Sequence, residues 1–161
     1  MAPEFKQDFF SALHGPDSVK LIATTDETGT PHLEEVPSLT FDANGYIVLL
    51  EENEYSHTNR NLVGSLWFNR KLSIYVRNGA THQFQAIAKP YKVFITGPVF
   101  EEHYRAIRAK RPNAKLSAVW LLEVVHITDE NFKTRQAHED LGRLALIHLD
   151  QIARSTAPTP S

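Results

Sequence analysis

The stretch Tyr46–Val63 reads YIVLLEENEYSHTNRNLV. Its first part, Tyr46-Ile47-Val48-Leu49-Leu50, is a short apolar run with the length and β-branching of a strand. A polar loop, Glu51 to Tyr55, follows. Ser56-His57-Thr58-Asn59-Arg60-Asn61 then gathers hydroxyls, amides and one guanidinium before Leu62 and Val63 restore apolar character. Ser, Thr and Asn are favoured at helix N-caps, so the polar run marks the start of a short helix. Such a start carries unpaired N–H groups and partial positive charge, which also suits a phosphate. The residues alone allow both a plain capped turn and an anion site.

On the N-terminal side, Pro3 to Leu13 has helical spacing of Phe5, Phe9 and Ala12, and His14-Gly15-Pro16 ends it. Val19 to Thr25 (VKLIATT) is a strand, Asp26-Glu27-Thr28-Gly29 a hairpin turn, and Asp42-Ala43-Asn44-Gly45 a second turn. Between the turns, Pro31 to Phe41 (PHLEEVPSLTF) reads as one strand with a broken parity. Leu33, Leu39 and Phe41 share a side, whereas Val36 falls on the other. Because proline cannot donate to a ladder, the residues point equally to a bulge near Val36-Pro37 or to a strand bent at a barrel corner.

On the C-terminal side, strands are expected at Lys71–Val76, Gln83–Ala88, Tyr91–Thr96 and Ala118–Ile127, the last being the most apolar and the most central. Phe100 to Lys110 switches to helical period, with Phe100, Tyr104 and Ile107 on one face. A final helix is expected over about Gln136 to Ile152, with a stripe of Leu141, Leu144, Ala145, His148 and Ile152. Hairpins dominate and no run alternates strand with helix. The fold class is therefore mainly β: a six- to seven-stranded antiparallel barrel with short N-terminal, crossover and C-terminal helices. One domain is expected over residues 1–154, with 155–161 a frayed tail.

With 42% hydrophobic and 22% charged residues, the 161-residue chain has ordinary globular composition. A net charge of −2 argues against a nucleic-acid partner. Zero cysteines exclude disulfides and thiolate catalysis. The opening MAPEFKQDFF lacks the basic-then-apolar pattern of a secretion signal, and no window is long and apolar enough for a bilayer, so a cytoplasmic protein is expected. None of the eight histidines forms a ligand pair at useful sequence spacing, and no metal site is expected. Glu34-Glu35 and Glu51-Glu52 are adjacent pairs whose members point to opposite faces of a strand, so neither makes an acid–base dyad. The cationic run Arg105, Arg108, Lys110, Arg111 and Lys115 is explained by a helix C-terminus and solvation.

Several segments together carry a family likeness. LIATTD at Leu21–Asp26 with Gly29-Thr30-Pro31-His32 resembles the opening hairpin of the pyridoxamine 5′-phosphate oxidase-like split-barrel flavoproteins. SHTNRNL at Ser56–Leu62 resembles their phosphate segment, Ile95–Glu101 the approach to their crossover helix, and Trp120–Val124 their closing strand. The resemblance spans roughly residues 17–128 and implies a split β-barrel homodimer with FMN at the dimer interface. It implies that Ser56, His57, Thr58, Arg60 and Asn61 surround the FMN phosphate. Val36, Pro37 and Ser38 would run along the isoalloxazine ring, with Leu50 and Glu51 on the neighbouring strand. It also implies a flavin-dependent oxidoreductase, its small-molecule substrate unspecified. Where many members carry lysine, this chain has Thr58, which leaves Arg60 as the one cation of the segment. Relatives on this fold also suggest a deazaflavin-dependent reductase, a non-catalytic flavin binder, or a haem protein using His57, His82 or His126.

Overall fold

Two strands that are neighbours in sequence stand at opposite edges of one sheet. The computed structural model describes residues 5–142. It contains α1 (Lys6–Leu13), β1 (Val19–Thr25), β2 (Pro31–Glu35), β3 (Thr40–Phe41), β4 (Ile47–Glu51) and α2 (His57–Phe68), followed by β5 (Leu72–Asn78), β6 (His82–Phe94), α3 (Pro98–Lys110), β7 (Ala118–Asp129) and α4 (Phe132–Gly142). The strands form a seven-stranded sheet in the order β2-β1-β5-β6-β7-β4-β3. Every pairing is antiparallel.

That order imposes curvature. Seven flat strands would hold the edges about 29 Å apart at about 4.8 Å per interval. Residues 36–39 alone connect β2 to β3, and the chain from Glu35 to Thr40 reaches at most about 18 Å when fully extended. The sheet must therefore curl until its edges approach. Val36-Pro37-Ser38-Leu39 makes the crossing as a tight turn closed by Leu39 N–H donating to Val36 O at 3.2 Å. Proline at the second position presets the backbone for such a turn. Val36 and Leu39 are buried on either side of it, and Pro37 is exposed.

The expected single strand Pro31–Phe41, bulged or bent at a corner, is thus corrected to two strands on different edges. The parity break at Val36 marks a change of edge rather than an extra residue. A second correction concerns residues 82–94. Two strands were expected there, yet β6 runs unbroken, with register shifts against β7 at Ile87/Ala88 and Pro90/Lys92. Pro90 is tolerated because a bulge places it where no ladder N–H is needed. Tyr91, unpaired at the shift, stacks on Tyr46 with centroids 4.6 Å apart and planes 5° from parallel.

The core lies inside the curl. β7, flanked by β6 and β4, contributes Trp120, Leu122 and Ile127, matching its expected interior position in the sheet. α1 lies against β5 and β6 through Phe9, Ala12 and Leu13. It begins at Lys6 rather than Pro3, which lies outside the described residues. The expected helix after the polar run is α2, three turns long and capped by Ser56, which rests on β1, β2 and β6. In the expected α3 face, Ile107 is buried while Tyr104 is exposed. The C-terminal helix begins at Phe132, earlier than expected; the expected stripe residues Leu144, Ala145, His148 and Ile152, and the expected tail, lie outside the described residues.

Lys20 of β1 fastens the crossing from both its backbone and its side chain. Its carbonyl accepts from Val36 N–H at 2.8 Å. Its Nζ donates to Pro37 O at 3.1 Å and Leu39 O at 2.9 Å. Partial burial pushes the Lys20 ammonium below the usual lysine range, and the two carbonyls offset that desolvation. Lys20→Met keeps the aliphatic stem and removes both side-chain bonds. It should cost about 1–2 kcal/mol in urea denaturation and speed amide exchange at residues 36–39.

Candidate functional site

The crossing turn forms one wall of a cleft of about 770 Å³. Val36, Pro37 and Ser38 supply that wall, and Leu50, Glu51 and Glu52 at the end of β4 supply the adjoining one. Ser38 Oγ leans toward Leu50 O at 3.5 Å. α3 closes the opposite side with His103, Ala106, Ile107 and Lys110, continued by Arg111. Glu34 and Glu35 at the end of β2 complete the rim. The apolar part consists of Val36, Pro37, Leu50, Ala106 and Ile107, a composition suited to a planar ring.

Charges at the rim are partly spent within the protein. Arg111 and Glu52 meet fork to fork, with Nη1 3.2 Å from Oε2 and a second, closer contact between Nη2 and Oε1. The hydrogen bond to Glu52, and then its charge, push the Arg111 guanidinium further above its already high range. Glu51 is buried and fully engaged: Oε1 accepts from Asn53 N–H at 2.9 Å and Oε2 from Ser56 Oγ at 2.8 Å. Lys110 makes no ion pair among the described residues.

Glu51 links this cleft to the start of α2. Ser56 is the N-cap: its Oγ accepts from Asn59 N–H at 2.9 Å while donating to Glu51. One hydroxyl thus fixes the helix start and the cleft wall. Thr58 is buried, and its Oγ1 donates to Glu34 Oε2. Asn61 is also buried and donates through Nδ2 to Thr24 Oγ1 at 3.0 Å. Asn59 bridges outward and inward, donating to Glu54 O at 2.9 Å and accepting from Trp120 Nε1 at 2.8 Å. His57 and Arg60 remain exposed, the latter reaching only Tyr55 O at 3.4 Å. No acceptor among the described residues meets the N–H groups of His57 and Thr58, the orphan donors of the first helical turn.

The structure thus brings Val36, Pro37, Ser38, Leu50 and Glu51 to one cleft. It places Ser56, Thr58 and Asn61 in internal bonds beside it, and leaves His57 and Arg60 outward. Sequence reasoning did not foresee His103, Lys110 and Arg111 as cleft residues; the buried stripe through Ile107 was the available signal that α3 lay against this wall. His57, His82 and His126 are all exposed and none lines the cleft, where His103 is the imidazole present.

Solved structures share this arrangement of strands. HupZ of Group A Streptococcus superposes with a TM-score of 0.64 at 16% identity, covering 78% of this chain and 94% of its own. The chain has the split-barrel fold. An FMN-binding protein from Syntrophomonas wolfei shares the split barrel with a TM-score of 0.62 at 11% identity, over 79% of this chain and 86% of that one. An F420 reductase shares it with a TM-score of 0.56 at 13% identity, over 73% and 94%. At such identities the likeness is one of fold. No protein-family model and no curated protein matches the sequence. Among the described residues of this split barrel, no helix is long and apolar enough to cross a membrane.

The double role of Ser56 has a measurable consequence. Ser56→Ala removes the cap and one acceptor-satisfying bond of buried Glu51, and should lower unfolding free energy by about 1–2 kcal/mol. Ser56→Asp restores a capping oxygen but sets it against Glu51. It should therefore recover less stability than capping preference alone implies, as read from thermal melts of the three proteins.

Proposed function

We propose that this split barrel binds FMN, with the isoalloxazine ring in the cleft between the Val36–Ser38 turn and α3. The observation that carries the proposal is the convergence of Val36, Pro37, Ser38 and Leu50 on one apolar-walled cleft beside a helix N-terminus. The cleft volume and the apolar side chains of Val36, Pro37, Leu50, Ala106 and Ile107 fit a tricyclic ring. The half-buried backbone of Ser38, which meets no backbone partner among the described residues, offers polar groups for the ring's pyrimidine edge.

The phosphate end fits through fewer groups than the resemblance implies. Because Ser56, Thr58 and Asn61 already have partners, the outward His57, Arg60 and the orphan N–H groups of the first α2 turn are what remains for an anion. Glu34 lies beside Thr58 and opposes a phosphate there. FMN binding is accordingly expected to be modest. A bound flavin would supply hydride and single-electron chemistry; the protein's part is to hold the ring, exclude water with Val36, Leu50 and Ile107, and set the local charge.

We further propose a homodimer in which a second chain covers the open side of the cleft, and a soluble oxidoreductase role with a small-molecule substrate. Exposed Leu33 and Tyr55 near the cleft's β2 and α2 borders are consistent with such a cover.

Titrating FMN into the purified protein should quench flavin fluorescence and structure its visible band, with both effects weakened about tenfold by Arg60→Ala. Glu34→Gln should tighten binding by removing the opposing charge. Absence of any spectral change at millimolar FMN would sink the proposal. Turnover with a nicotinamide donor and an artificial quinone acceptor separates an oxidoreductase from a flavin carrier, which would bind without turnover.

A further inference from the structure

His32 on β2 and His57 at the first position of α2 are distant in sequence, yet their rings lie 5.1 Å apart, centroid to centroid, tilted by 33°. His32 Nε2 is also 3.7 Å from Glu34 Oε2. The pairing follows from the fold. His32 and Glu34 share one face of β2 because they are two residues apart on a strand. α2 rests on β2 and brings His57 over that same face.

These distances are close to those of a coordination shell. Metal–nitrogen bonds of about 2.0–2.1 Å with tetrahedral angles set two ligating imidazole rings about 5 Å apart, centre to centre, and adjacent ligand atoms about 3.3 Å apart. The carboxylate is already oriented, because buried Thr58 donates to the same oxygen, Glu34 Oε2. Such an outer hydrogen bond is a regular partner of a metal-bound carboxylate. Arg60, the nearest cation of the α2 start, is directed to Tyr55 O rather than into this cluster.

We propose that His32, Glu34 and His57 bind a divalent first-row transition ion, zinc being the chemical type that two imidazoles and one carboxylate favour over magnesium or calcium. Among the described residues no group of three or more histidine, cysteine, aspartate or glutamate side chains stands in position to hold a metal ion, so the proposal requires His32, Glu34 and His57 to turn toward one another. The movement is inexpensive, because His57 is exposed and the side chains of His32 and Glu34 are 34% and 42% exposed. The three protein ligands leave at least one position for water or an anionic ligand group. This inference does not depend on flavin binding.

Cobalt(II) serves as the probe, added to metal-free, flavin-free full-length protein and followed by its visible d–d absorption. One equivalent per chain is expected, displaced by zinc, and abolished by His32→Ala and by His57→Ala. Thr58→Val should weaken binding about tenfold by freeing the carboxylate, while His82→Ala, remote from the cluster, should leave it unchanged. Circular dichroism of each metal-free variant establishes that the fold persists. Lack of a saturable cobalt spectrum in the parent protein would overturn the proposal. So would binding that survives both His32→Ala and His57→Ala, or that falls equally in His82→Ala. Loss of flavin quenching with intact cobalt binding would count against the flavin reading alone.

Discussion

The fastening of the Val36–Leu39 turn by Lys20 is the constraint on which the rest of this structure depends. A four-residue link between the two edge strands is possible only if the sheet curls. Curling leaves two carbonyls at the crossing, and a half-buried turn with unpaired carbonyls would be costly. Lys20 pairs with both from the adjacent strand, while Ser38 approaches Leu50 O from the other side. The seam between the sheet's edges thereby becomes a shaped wall, and the cleft is its consequence.

From the seam, a chain of polar contacts leads to α2. Glu51, at the end of β4, joins the loop N–H of Asn53 to the hydroxyl of Ser56, and Ser56 caps the helix. Thr58 in the first turn and Asn61 one turn on tie that helix to Glu34 of β2 and Thr24 of β1. Asn59 ties it to Trp120 in the core. Ser56, Thr58, Asn59 and Asn61, which look available for a ligand, therefore also carry the docking of α2. That is why the phosphate reading rests on Arg60, His57 and backbone N–H groups rather than on the full polar segment.

The legible parts of the fold were local. The Asp26–Gly29 and Asp42–Gly45 turns could be read because an aspartate at the first position caps the turn's own N–H groups and glycine takes the positive φ of 83° at its end. The apolar Ala118–Ile127 run announced a central strand. Val36 and Pro37 were recognised as a disturbance, but alternation cannot distinguish a bulge from a change of sheet edge, since both break parity. β6 was divided in two because Pro90 is a breaker in isolation and harmless at a bulge. For the site, residue types at Val36–Ser38 and Leu50–Glu51 pointed to one place through the family resemblance. The partners of Thr58 and Asn61, and the closeness of His32 to His57, join residues far apart in sequence and have no local signature.

The central claim is that the seam between the sheet's edges is a binding wall. Hydrogen–deuterium exchange with and without saturating FMN tests it most directly. The account predicts slowed amide exchange concentrated at residues 34–40, 50–53 and the first turn of α2, with little change in β5 or β6 away from these borders. Protection confined to other surfaces, such as the exposed C-terminal end of α2 at Trp67 and Phe68, or no protection anywhere, would contradict it.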